Sequence, residues 1–377
     1  MQPIAKLKAL FNMNLISFNP ELQNGHELNV LQYKNMISPF CKENILTLKS
    51  NSTLVVDNNY GLVYDEVLIN SKCAIYGDAD KIPMYSGDQL ENLGYLRVPF
   101  RKIPRIKLNN QQELNELLSM FEVKDKNLKL QFRGQNSEHY IERTDDEKLA
   151  LFNSKDSLEP SLIPSAVRRN ILMEDIMPIW NNMLQKYLDY KLSIFNGSNK
   201  IQLTRDLLNF KTNVNFAVFS LSLAQHYGFP SVGLDSTPNI NTAIFFATHK
   251  FQNVQGKCSY KHNIHDLENP PVIYVLAPAE RNQFDYRYFK PVFTEFLRPD
   301  YQEAHFLHTG WGLNKNRSAR SIWLALYLDQ NGDFGKDMNS ETLFPPDDEF
   351  VNFIDPIIKK INNENLNPYF KDFYKLN

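Results

Sequence analysis

The order in which strand-like and helix-like patterns succeed one another constrains this chain more than any other feature of its sequence. Residues 44 to 78 hold ILTLKS, TLVVDNNYGLVYDEVLI and CAIYGDA, short β-branched and aromatic runs separated by Asn, Asp and Gly. That is the pattern of antiparallel hairpins. From residue 109 the period changes: in NNQQELNELLSMF, Leu114, Leu117, Leu118 and Phe121 recur at helical spacing behind asparagines able to cap. LKLQFRGQ then alternates, with Leu128, Leu130 and Phe132 on one side and Lys129, Gln131 and Arg133 on the other, a strand with Arg133 at its polar end. Helical patterns follow over 167 to 195, where Pro178 is expected to break or kink the helix, and over 203 to 227. Strands return at PPVIYVLA and SIWLALYL. This irregular succession argues against a doubly wound sheet. It predicts an α+β fold, a mixed sheet with several long helices, preceded by a small β-rich N-terminal unit.

At 377 residues the chain exceeds the size at which one core usually keeps growing. The change of pattern divides it into a β-rich unit at 1–105, a main domain at 106–330 and an extension at 331–377 that ends in the polar INNENLNPYFKDFYKLN. Lys and Arg number 41 against 43 Asp and Glu, a formal charge of -2, which gives no overall pull toward nucleic acid or an anionic membrane. Cys41, Cys73 and Cys258 show no paired spacing, so neither a disulfide framework nor a multi-cysteine zinc site is expected. Asn12, Asn14 and Asn19 interrupt the first apolar positions, unlike a signal-peptide core, and no apolar run reaches the roughly 18 residues of a membrane helix. The expectation is a cytoplasmic protein without a membrane partner.

The stretch LAQHYGFPSVGLDSTPNINTAIFFAT at 223–248 carries the densest punctuation. Gly228 can take the positive φ that ends a helix, and His226 stands beside the terminal carbonyls. Asp235, Ser236 or Thr237 is then read as the cap of a second, very apolar helix, with Pro238 in its first turn. The same geometry suits a ligand, because a helix start offers free N–H groups and a positive dipole end to a phosphate. FRGQ at 132–135 adds an arginine able to clamp a phosphate, and Gly134 lets the chain come close to a ligand. A surface arginine before a turn is the alternative.

Taken in order, FRGQ at 132–135, EPSLIPSAVRR at 159–169 and the AQHYG to LDST block at 224–237 resemble the FRG domain, a family of bacterial and phage proteins named for its Phe/Tyr-Arg-Gly motif. The resemblance covers about residues 106 to 330. It implies that Arg133, Gln135, Gln225, His226, Asp235, Ser236 and Thr237 share one site. Members commonly end in a Gln-x-Gly-x-Phe segment. The nearest counterpart here is EAHFLHTGWGL, with His308 where Gln is usual and Trp311 or Leu313 near the Phe position. The layout is also similar to that of ADP-ribosyltransferases, in which an arginine and hydroxyls hold NAD and a glutamate faces the ribose. That similarity implies NAD as cofactor, an unidentified protein or nucleic acid as target, and Glu303 or His308 in the catalytic position. The alternative is a binding module that holds a nucleotide or nucleic acid without turnover, for instance in phage defence.

Other clusters weigh less. His262 with His265, His305 with His308, and Cys258 supply zinc-type donors, but without a metalloprotease helix pattern, so no metal is expected. Basic groups at 101–107, at Arg168 and Arg169, and at 315–320 are read as solvated faces rather than a nucleic-acid footprint. Phe284, Tyr286 and Tyr288 are read as one face of a strand.

Overall fold

The computed structural model describes residues 90–363 apart from short stretches at 123–129, 170, 172, 255–256, 265–268, 279–282 and 309–314. Before residue 90 it describes 45–47, 53–57, 59–60, 62–65 and 76. The fold is α+β. Strands β1 (Ile45–Thr47), β2 (Thr53–Asp57) and β3 (Leu62–Asp65) pair antiparallel into a small sheet, as the hairpin pattern predicts.

The central sheet has five strands in the order β4 (Asn92–Val98), β5 (Arg101–Leu108), β13 (Ile322–Leu328), β10 (Val272–Leu276) and β6 (Gln131–Gln135). β13 and β5 run parallel and the other neighbours antiparallel. Along β10 the side chains alternate between two cores. Ile273 and Val275 join Ile106, Leu324 and Leu326 beneath α1 (Gln111–Glu122) and α7 (Ile240–Thr248). Val272, Tyr274 and Leu276 join Ile103, Ala325 and Tyr327 on the opposite face, with Phe152 of α2 (Asp145–Phe152). A strand covered on both faces reads as the unbroken apolar run VIYVL.

The division at residue 105 falls inside β5, so β4 and most of β5 belong to the central sheet rather than to a separate unit. Tyr60 and Tyr76 also pack on that sheet's second face. A buried network fastens this region: Arg143 Nη2 lies 2.9 Å from Asp57 Oδ2 and 3.0 Å from Glu159 Oε1, and the Tyr60 hydroxyl donates to Glu159 at 2.6 Å. Burial raises both carboxyls above their ordinary values, and Arg143 opposes the shift.

A helical layer packs beside the sheets. It comprises α4 (Met173–Ile194), α5 (Lys200–Lys211), α6 (Val214–His226) and α9 (Glu349–Asn363), gathered around Trp180, Tyr187, Phe219, Tyr227 and Phe350. α4 runs through Pro178 without a break, while the pattern read as one helix over 203 to 227 is two. Asn213 separates them, because its side chain accepts the N–H of Asn215 at 2.9 Å and caps α6. α9 lies in the segment set apart as an extension, yet Phe350, Val351, Ile354 and Ile358 are core residues. The remaining α-helices among the described residues are α3 (Ser165–Arg168) and α8 (Leu297–Tyr301).

A second antiparallel sheet has the order β11 (Gln283–Phe284), β12 (His305–His308), β7 (Gly233–Ser236), and β8 (His249–Val254) pairs with β9 (Lys257–His262) as a hairpin. The run at 284–288 is not one strand. After Phe284 the chain turns, because Asp285 accepts the N–H of Arg287. No helix among the described residues is long and apolar enough to cross a membrane.

Candidate functional site

The two sheets meet at one point, where Phe132 N donates to Thr237 O at 2.7 Å and Thr237 N donates to Phe132 O at 3.0 Å. Around this seam opens a cleft of about 870 Å³, within the usual range of small-molecule and cofactor sites. Arg133, Gln135, Gln225, His226, Asp235, Ser236 and Thr237 all line it. They reach it from β6, from the end of α6 and from β7, the last two close together in sequence and both far from the first.

Each segment is placed by a local cause. β6 can lie against α7 only because residue 134 is glycine: a Cβ there would stand 1.8 Å from the Ala243 carbonyl oxygen. Gly134 therefore serves strand-to-helix packing rather than approach to a ligand. Asn136 follows and ties the end of α7, its Nδ2 reaching the carbonyls of Phe246, Ala247 and His249 at 3.3, 2.8 and 3.1 Å. Gly228, at φ 84°, lets the chain leave α6 just after His226.

The expected cap of α7 is displaced. Asp235 and Ser236 belong to β7, and Asn239 is the cap, accepting the N–H of Asn241 at 2.9 Å. The hydroxyls of Ser236 and Thr237 are already engaged. Thr237 Oγ1 donates to Gln302 O at 2.9 Å and accepts from Asn239 N at 3.0 Å, while Ser236 Oγ lies 3.4 Å from Gln131 Oε1. They border the cleft and hold its walls.

At the centre, Arg133 Nη1 donates to the main-chain oxygen of Asp235 at 2.6 Å. His226 sits between two partners, with Nδ1 3.0 Å from Gln302 Oε1 and Nε2 3.3 Å from Asp235 Oδ1. The Asp235 side chain lies deep among protein atoms yet keeps 29% of its surface open to the cleft. Burial raises its carboxyl above the ordinary aspartate value, against the opposing pull of His226 and Arg133. Arg133 is held below its ordinary value by burial, an effect that Asp235 offsets. Arg133 Nε, Gln135 Oε1 and Gln225 Oε1 are buried without a hydrogen-bond partner among the described residues.

The two catalytic candidates lie elsewhere. Glu303 is not among the residues that line the cleft. Its carboxylate accepts from Asn239 Nδ2 at 2.6 Å, and its φ of 47° turns it aside between Gln302 and Ala304, which do line the cleft. His308 pairs through its main chain with Gly233, at the end of the β7–β12 ladder away from Ser236, and its side chain lies outside the described residues.

Sequence reasoning missed Gln302, one position before Glu303, because a lone glutamine in a polar run carries no spacing signal. It also left out other lining residues: Arg168, Arg169 and His139, and Phe246, Phe251, Tyr260, His249 and Lys250 from α7 and the β8–β9 hairpin. Of the zinc-type donors, His262 Nε2 lies 2.9 Å from the Phe334 carbonyl and His305 Nε2 lies 3.1 Å from Arg287. His265 lies outside the described residues. Among the described residues no group of three such donors converges. Compared with known proteins, the chain matches no family profile, no curated protein and no solved structure.

Proposed function

We propose that the cleft binds a pyrophosphate-bearing nucleotide, NAD first among them, and that the protein transfers ADP-ribose from it to a protein or nucleic-acid acceptor. The observation that carries the reading is the set of unpartnered buried polar atoms on Arg133, Gln135 and Gln225, three residues that line the cleft. Buried polar groups are nearly always satisfied, and a bound ligand satisfies such a set. The charge pattern supports a phosphate: Arg133, Arg168, Arg169 and Lys250 line the cleft, against one carboxylate, Asp235, among its described lining residues. Phe246, Phe251 and Tyr260 are half-buried and form an aromatic wall for a base.

In this reading Arg133 and the Arg168–Arg169 pair hold phosphate oxygens, the amides of Gln135 and Gln225 meet sugar or base hydrogen-bonding groups, and Asp235 takes the place foreseen for Glu303. A carboxylate belongs there because positive charge develops on the ribose as nicotinamide leaves.

The test is calorimetric titration of NAD, ADP-ribose and AMP into the wild type and Arg133→Ala, with release of nicotinamide from labelled NAD measured in parallel. A charged hydrogen bond lost from a buried phosphate contact weakens binding by about 1.5 to 3 kcal/mol, roughly 10- to 150-fold. A folded wild type that binds none of the three at millimolar concentration refutes the reading. Tight, salt-sensitive binding of single-stranded nucleic acid in their place would mark a binding module instead.

A further inference from the structure

The array Gln302, His226, Asp235 contains a hydrogen-bond argument that fixes where a proton sits. Gln302 Nε2 donates to the Leu343 carbonyl at 3.1 Å, so the amide oxygen is the atom turned toward His226 Nδ1, 3.0 Å away. An amide oxygen only accepts, so Nδ1 carries a hydrogen. Nε2 then faces Asp235 Oδ1 at 3.3 Å, a close approach rather than a made hydrogen bond, since Oδ1 is buried without a hydrogen-bond partner among the described residues. With the hydrogen on Nδ1, Nε2 is the ring nitrogen left to receive a proton that arrives on Asp235.

The surroundings favour a movable proton over a permanent ion pair. His226 keeps 4% of its side-chain surface exposed while Asp235 keeps 29%, so the aspartate is the member open to the cleft. Two cations face the pair from other elements: Arg133 of β6 at the main-chain oxygen of Asp235, and Arg298 of α8, itself buried, with Nη1 3.5 Å from the His226 carbonyl. Arg168 stands in the same cleft, and Gln225 is neutral. Burial opposes the ionised carboxylate of Asp235, while His226, Arg133 and the Gln225 amide favour it.

We propose that Asp235 and His226 form an acid–base pair in which Asp235 takes the proton from the attacking nucleophile, with Gln302 as a positioning residue that holds the imidazole in the Nδ1–H form. The proposal rests on the cleft binding NAD as described above. In the step, the acceptor's O–H or N–H bond breaks and its proton passes to Asp235. The freed electron pair forms the bond to ribose C1′, and the bond from C1′ to the nicotinamide nitrogen breaks with its electrons leaving on nicotinamide. Asp235 enters the step as the carboxylate, the proton it takes is shared with the unprotonated Nε2 of His226, and it is released to solvent when product departs.

Two measurements on the full chain separate this proposal from the nucleotide reading. The first is ¹⁵N spectroscopy of histidine-labelled protein without nucleotide, with the His226 signal assigned by its loss in His226→Gln. Nδ1 should be the protonated nitrogen at neutral pH in the wild type, and Gln302→Leu should spread His226 over both tautomers. An unprotonated Nδ1 in the wild type, or a tautomer indifferent to Gln302→Leu, overturns the pair whether or not NAD binds. The second is nicotinamide release by Asp235→Asn, expected to fall about 10²- to 10⁴-fold while NAD affinity stays within a few fold. Release at the wild-type rate, or a wild type that binds NAD and releases no nicotinamide, overturns the assignment of Asp235 as base and leaves nucleotide binding standing.

Discussion

Replacing Gly134 by alanine tests the claim that the cleft depends on one close approach. An alanine Cβ would meet the Ala243 oxygen at 1.8 Å, with the Ala243 carbonyl carbon and the Ala247 nitrogen both at 2.8 Å. All three are main-chain atoms, so no side chain can swing away. Ordinary contact begins at 3.4 Å, and restoring it from 1.8 Å needs a separation of about 1.6 Å between β6 and α7. β6 resists that shift because it is paired to β10 along its length and bridged to Thr237. Overpacking usually costs 1–3 kcal/mol, and a clash between two held backbones belongs at or above the upper end, about 3 kcal/mol. At a few degrees per kcal/mol for a domain of this size, thermal unfolding should move down by about 6 to 12 °C. Arg133 and Gln135 flank the substitution, so nucleotide affinity should fall with stability. Calorimetry and titration measure the two effects. An alanine variant that melts within a degree of wild type and binds normally would refute the close-packing argument.

Asn136→Ala removes the donor that serves three carbonyls at the end of α7, and a denaturant midpoint should show a loss of about 1 to 2 kcal/mol. Arg143→Met leaves the buried carboxyls of Asp57 and Glu159 without their cation, and should destabilise by about 3 to 5 kcal/mol at pH 7. Both carboxyls are raised in the folded state, so their stabilising contribution is complete below the ordinary carboxylate range and is lost as pH rises through the raised values. Because Arg143 opposes those shifts, its loss should be felt far less near pH 4 than at pH 7, which unfolding curves at the two pH values check. Arg133→Lys should not recover what Arg133→Ala loses, since an ammonium lacks the fork that reaches both Asp235 O and a ligand; titration of NAD against both variants decides.

Much of the cleft could be read from the sequence because its residues stand in segments with strong local signals. Arg133 closes an alternating strand pattern, and Gly228 announces the end of a helix, so seven named side chains arrived in one place. What failed was assignment by proximity in sequence. Glu303 and Gln302 are neighbours, yet a φ of 47° sends one to Asn239 and leaves the other beneath His226. Strand pairing was equally hidden: nothing in RKIPRIKL says that it lies parallel to IWLALYL across the chain, so the division at 105 cut a sheet that only tertiary contact defines. The cap of α7 went to Asn239 because Asp235 and Ser236 had partners in β12, a competition that local propensity does not contain.

The seam where Phe132 meets Thr237 bears on how the chain reaches its final shape. Arg133 and Asp235, which that seam brings into contact, are separated by 102 residues, and His226 and Gln302 by 76. Closing a loop of such length costs about 4 kcal/mol of chain entropy before any contact returns it. Contacts of this span form late and slow the search for the native state. The helical layer, whose members α4, α5 and α6 follow one another closely, can assemble while the cleft is still unmade. A chain held up at that stage would carry most of its secondary structure and an unmade cleft, so binding of the proposed nucleotide would report the last event of folding rather than the first.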